Sequence, residues 1–137
     1  YYDIRLEYKK FAALLKCSYL VKKPGPRYIL LGELGSFYKS GIDPQEEMLK
    51  AGNWPVGGNW GTEPRENWRT ILFEKDGKDF EEVVETLPGN YNIFYNNVFD
   101  AIRNGAELFV KPEEAVEVLK ILEACLKSNF EKRTVLL

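Results

Sequence analysis

The side chains best able to do chemistry fall in three stretches: Lys39, Asp43 and Gln45 in "GSFYKSGIDPQEE", three tryptophans in "NWPVGGNWGTEPRENW", and Tyr91 and Tyr95 in "GNYNIFYNN". An ammonium, a carboxylate and an amide in one short block supply the mixed donors and acceptors that fix a small polar ligand. Trp54, Trp60 and Trp68 supply flat faces on which a ring can stack. Each also has a plainer structural reading. Asp43 ahead of Pro44 fits a helix N-cap, and Lys39 fits a solvated strand end. Tryptophan in a closed loop is commonly a hydrophobic anchor, and Tyr91 and Tyr95 share the spacing of an apolar helix stripe, which favours core packing for both.

Other chemistry is excluded more firmly. The chain has no histidine, so Ser-His and Cys-His nucleophile pairs, His-ligated metals and the usual general base near neutral pH are all missing. No phosphate loop, dinucleotide glycine fingerprint, EF-hand or CxxC spacing occurs, and "PVGGNWG" lacks the Lys-Ser/Thr end that a phosphate cradle needs. Glu113 and Glu114 are neighbours in a first helical turn, where acids are ordinary and adjacent side chains do not face each other. Cys17 and Cys125 stand in apolar surroundings and read as buried free thiols.

The elements that must position these residues follow from periodicity. "YYDIRLEY" alternates apolar and polar residues as a half-buried strand does, so the chain opens inside a strand; with Tyr1 rather than Met first, it is expected to be a piece of a longer protein. Residues 11–21 read as a strand apolar on both faces, which needs cover on both. "YILLGE" and "GSFYK" read as two more strands, giving a four-strand meander with the first two. Asp43 to Gly52 reads as a short helix, and residues 53–68 as a packed or functional loop. Asp76-Gly77 centres a hairpin. Helices are expected over residues 91–104 and 112–129, the second burying Ala115, Val118, Leu119, Leu122, Cys125 and Leu126. Short strands are expected in "AELFVK" and "KRTVLL".

At 137 residues, the chain suits one domain with one core. Nineteen basic against twenty-one acidic residues, without a long single-sign run, argue against nucleic acid and anionic membrane surfaces as partners. No apolar stretch approaches the roughly 20 residues that span a bilayer, and no signal peptide stands at the N-terminus, so a cytoplasmic setting is expected.

Gly35, Ser36, Phe37, Lys39, Gly41, Asp43, Pro44, Gln45 and Glu46, with the later "LPGNYNIFYNNVFDAIRNG" and "LFVKPEEAVEVLKILEACLKS", resemble the C-terminal domain of Gfo/Idh/MocA-type oxidoreductases, the inositol and sugar dehydrogenase-like members above all. The resemblance spans nearly the whole chain. It implies an α+β fold, an open and mostly antiparallel sheet of about six strands with helices packed on one face, similar to the C-terminal domain of glyceraldehyde-3-phosphate dehydrogenase-like proteins. It further implies a preceding Rossmann domain that binds NAD or NADP and carries an active-site Lys, then a helix whose Asp and His complete the site. None of those motifs stands in this sequence, so residues 1–137 are expected to hold no catalytic, cofactor or metal residue and to be inactive alone. Their expected role is substrate binding, through Lys39, Asp43, Gln45, Trp60, Tyr91 and Tyr95 and directed at a sugar, inositol or related polyol, together with assembly into a homodimer or higher homo-oligomer through the sheet. The alternative is a freestanding α+β ligand-binding or assembly module.

Overall fold

A computed structural model describes all 137 residues. Six strands and three helices run in the order β1 (Tyr2–Glu7), β2 (Ala12–Cys17), β3 (Tyr28–Gly32), β4 (Gly35–Lys39), α1 (Gln45–Lys50), β5 (Arg69–Lys75), β6 (Lys78–Val84), α2 (Tyr91–Asn104) and α3 (Pro112–Glu131). The class is α+β and every strand pair is antiparallel.

The six strands form two sheets rather than one: β1 pairs only with β2, and β3-β4-β5-β6 is a separate meander. The strand expected over residues 11–21 stops at Cys17, and Tyr19 and Leu20 lie outside it, almost fully exposed. The Ser18 hydroxyl accepts the Leu20 amide at 3.2 Å, a local turn that competes with the ladder. The expected four-strand meander therefore begins at β3. The strands expected in "AELFVK" and "KRTVLL" do not form; neither segment finds a partner edge.

The chain divides into two compact units, Tyr1–Lys22 with Gly105–Leu137, and Lys23–Asn104. In the first, Ile4 and Leu6 of β1 share a cleft of about 340 Å³ with Ile121, Ala124 and Cys125 of α3. These residues are half-buried, whereas Val118, Leu119, Leu122 and Leu126 are exposed. The stripe expected to face the core is thus mostly the outer face, because α3 is apolar on more than one side. At its start, the Glu114 carboxylate accepts the Lys111 amide at 2.8 Å and the Glu114 amide donates to the Lys111 carbonyl at 3.1 Å, so one of the two first-turn acids is a cap.

In the second unit, Asp76 (φ 53°) and Gly77 (φ 70°) turn β5 into β6 with the left-handed geometry that a two-residue hairpin of this twist requires. Phe73 and Phe80 stack across that hairpin, with ring centroids 5.5 Å apart. Helix α2 turns Asn97, Val98 and Ala101 inward, while Tyr91, Phe94, Tyr95 and Ile102 are exposed. Core packing of Tyr91 and Tyr95 is therefore overturned. Both cysteines are free, as expected, but half-buried rather than buried. No hydrophobic side chain in either unit is fully buried; the buried side chains are Lys39, Gln45, Glu63 and Asn97.

Candidate functional site

The block from Gly35 to Glu46 runs along β4 and then leaves the sheet into α1. Lys39 ends β4, and its Nζ sits 2.6 Å from Glu63 Oε2 and donates to the Ser40 carbonyl at 2.6 Å. Both partners are 8% exposed, so the reading of Lys39 as a solvated strand end is overturned. An ammonium removed from water at this depth needs a counter-charge, and Glu63 supplies it from the tryptophan-rich loop. The next tryptophan of that loop is fixed close by: Trp68 Nε1 donates to the Glu63 carbonyl at 3.4 Å, and the Arg65 guanidinium lies over its ring at 5.9 Å.

Two residues past the turn, Asp43 Oδ1 accepts the Gln45 amide at 2.9 Å, which supports the first turn of α1 while Pro44 carries helical dihedrals. The other carboxylate oxygen accepts Gln45 Nε2, also at 2.9 Å. Gln45 is completely buried, and its Oε1 accepts two more bonds, from Trp60 Nε1 at 2.8 Å and from the Tyr91 backbone amide at 2.9 Å. One amide side chain therefore joins three segments distant in sequence: the start of α1, the tryptophan loop and the start of α2. A buried amide with its donors and acceptors matched in this way holds a unique arrangement, since any shift leaves polar atoms dry and unpaired.

Two glycines make the approach possible. At Gly89 an added Cβ would lie 2.0 Å from Asp43 Oδ2 and 2.5 Å from Gln45 Nε2. At Gly61, where φ is +71°, it would lie 2.2 Å from the Gly89 carbonyl oxygen. The two backbones touch through the Gly89 amide and the Gly61 carbonyl at 3.4 Å.

Of the residues picked from the sequence, Asp43, Gln45, Trp60 and Tyr91 come together in this one node, Tyr91 through its backbone. Lys39 belongs to the separate ion pair with Glu63. Tyr95 lies a turn further along α2, edge-on to Phe94 at 5.4 Å, and is 65% exposed. Trp60 and Trp68 are half-buried and anchored, but Trp54 is 81% exposed, so the anchor reading fails there. Glu63, Gly61 and Gly89 were invisible in sequence. "WGTEP" carries no spacing that singles out its glutamate, and "LPGN" reads only as a turn.

An antiparallel α+β fold with this block at its turning point defines the class of domain. The chain belongs to the oxidoreductase family, C-terminal alpha/beta domain, of Gfo/Idh/MocA type, which it matches over residues 1–137. It is 36% identical over 137 residues to scyllo-inositol 2-dehydrogenase (NADP(+)) IolW of Bacillus subtilis (strain 168), covering all of this chain and 38% of that protein. It is 32% identical over 138 residues to the oxidoreductase YdgJ of Escherichia coli (strain K12), again covering all of this chain and 39% of that one. Among solved structures, YvaA of Bacillus subtilis superposes with a TM-score of 0.95 at 36% identity, over 98% of this chain and 40% of its own. YPO2259 of Yersinia pestis does so with a TM-score of 0.92 at 31% identity, over 98% of this chain and 38% of its own. The chain thus spans less than half the length of these relatives. No helix is long and apolar enough to cross a membrane, and no cluster of His, Cys, Asp or Glu is suited to a metal ion.

Proposed function

We propose that residues 1–137 act as one domain, the substrate-side and assembly domain of an NAD(P)-dependent oxidoreductase that acts on a sugar, an inositol or a related polyol. The observation that carries the reading is the Gln45 node, which fixes the tryptophan loop and the start of α2 as one rigid surface. On that surface the exposed Tyr91 and Tyr95 side chains and the face of Trp60 meet the substrate, while Lys39, Asp43 and Gln45 hold the surface in shape. The likeness to an inositol dehydrogenase supports the substrate class.

The nucleotide belongs to another domain. A pyrophosphate binds where helix amides are free, but here those amides have partners. At α2 the Tyr91 amide donates to Gln45 and the Asn92 amide to Asn90 Oδ1; at α3 the first residue is a proline and the Glu114 amide donates to Lys111. The residues present do not fit a dinucleotide, so no step of its chemistry is assigned to them. The chain alone is accordingly catalytically silent.

Self-association is part of the same reading. Leu14 and Leu15, on opposite faces of β2, are 57% and 43% exposed, and every residue of β3 is exposed. Apolar strands left bare to this extent gain by burial against a two-fold mate. The setting is the cytoplasm, where two free thiols stay reduced.

The test is a protein that carries this chain behind a nucleotide-binding domain, assayed with NAD and NADP against inositols and sugars. Cofactor reduction that needs one of these polyols is expected. Micromolar nicotinamide nucleotide binding by residues 1–137 alone, or no nicotinamide chemistry in the longer protein, overturns the reading.

A further inference from the structure

Of the nine asparagines in the chain, Asn104 alone precedes a glycine; the others stand before Trp, Tyr, Phe, Ile, Val or a second Asn. The difference is chemical, because a glycine amide has no side chain beside it to block approach to the asparagine carboxamide carbon. Helix α2 ends on Asn104, and Gly105 follows with φ +70°, the left-handed form common one residue past a helix. Both residues are exposed, and nothing lies within 4 Å of where a Cβ on Gly105 would stand. The last turn of a helix frays, so this peptide has room to turn. The side chain has one partner: Asn104 Nδ2 donates to Oδ1 of half-buried Asp100 at 2.9 Å.

We propose that Asn104 is a site of spontaneous modification, where the asparagine converts to aspartate and isoaspartate and the end of α2 loosens as a result. The Gly105 backbone nitrogen bonds to Asn104 Cγ, the bond from Cγ to Nδ2 breaks, and ammonia leaves with the proton that the glycine amide gave up. The succinimide ring so formed takes up one water. Opening at one carbonyl leaves aspartate; opening at the other leaves isoaspartate, with the main chain rerouted through the former side chain. Nothing is oxidised or reduced, and water is the one reagent from outside the chain. In the aspartyl product a donor has become a carboxylate facing the Asp100 carboxylate, four residues away on the same helix face and at the helix end where negative charge is unfavourable. The isoaspartyl product adds a methylene to the main chain where the unit Lys23–Asn104 ends. None of this depends on the function proposed above.

The experiment incubates the chain in warm, mildly alkaline buffer, with a parallel sample unfolded in guanidinium chloride. Peptide mass spectrometry with electron-transfer fragmentation counts the exchange of NH₂ for OH at each asparagine and separates aspartate from isoaspartate. Asn104 should convert more than about 10-fold faster than any other asparagine of the folded chain, and within about 10-fold of its own rate when unfolded. Gly105→Ala should slow it by more than about 10-fold in the unfolded sample too, where strain at a left-handed position plays no part. The loosening is read separately: Asn104→Asp should lower the urea midpoint, and adding Asp100→Asn, which restores one amide facing one carboxylate, should recover most of the loss. A folded chain that converts more slowly than that margin allows, an asparagine elsewhere that converts faster, or an Asn104→Asp chain with an unchanged midpoint overturns the proposal.

Discussion

Within one unit of this chain, the node around Gln45 and the strand β3 reverse the usual places of polar and apolar side chains. Gln45, Lys39 and Glu63 are dry, while Tyr28, Ile29, Leu30 and Leu31 of β3 are 48–74% exposed. A small protein normally hides its leucines and wets its lysines. The node shows why the exception holds: the buried Gln45 amide is bonded through both its nitrogen and its oxygen, and the Lys39 ammonium lies against the Glu63 carboxylate, so their burial is offset and the geometry becomes unique. The strand shows the complement. Its apolar surface has no partner within the unit and stays available to one outside it. The shape of the candidate site is thus set internally, whereas the strand faces depend on what covers them.

The largest effect is expected where the node is broken at its centre. Gln45→Leu removes two acceptor bonds and one donor bond and takes their partner from the Trp60 indole N–H, the Tyr91 amide and Asp43 Oδ2, while Asp43 Oδ1 keeps the backbone amide of residue 45, costing about 3 kcal/mol. Urea denaturation measures it. A loss under about 1 kcal/mol would mean that water replaces the amide and the node is not what fixes the loop.

The ion pair sharpens the comparison next. Lys39→Met should cost about 3 kcal/mol by stranding Glu63, while the double change Lys39→Met with Glu63→Leu should recover most of it, because an apolar pair of similar volume pays no desolvation. A double mutant as unstable as the single would place the role of Lys39 elsewhere. Gly89→Ala follows, with an expected loss of about 2 kcal/mol as the new methyl meets Asp43 and Gln45. Gly25→Ala, with nothing within 4 Å, is the matched control.

On the apolar side, stability should barely change and association should. Leu14→Glu and Leu15→Glu alter exposed positions, so each should stay within about 0.5 kcal/mol in denaturation. At least one should lower the mass seen by light scattering at tens of micromolar, where an interface of standard size holds. A wild-type chain already monomeric there would leave these faces to a different partner. The smallest effect is one of pH. Hydrogen bonds from Lys50 to Glu46 and Glu47 raise its pKa above the ordinary 10.5. The stability this lends is complete below 10.5 and fades as pH rises through the raised value, a loss that Lys50→Met should remove from an alkaline titration.

Local elements were legible because local rules govern them. The Asp76-Gly77 hairpin, α2 ending ahead of Gly105, and α3 opening on Pro112 each follow from turn geometry or capping within a few residues. The block from Gly35 to Glu46 likewise marked the family and singled out Asp43 and Gln45, though as ligand contacts rather than as parts of a node with Trp60 and Tyr91. What failed was whatever depends on a distant partner. Periodicity gave α3 one apolar stripe and could not say which of its faces β1 would take. Alternation carried β2 on to residue 21, where no edge continues the ladder. Type alone made Lys39 a surface residue, because nothing in "WGTEP" announces that Glu63 will meet it. The sequence by itself determined the class of fold, the hairpins and the helix limits, all of which are decided by neighbours along the chain. Only the tertiary structure decided that Gln45 is the joint between α1, the loop and α2, since a buried amide takes its meaning from three partners that lie in three different parts of the sequence.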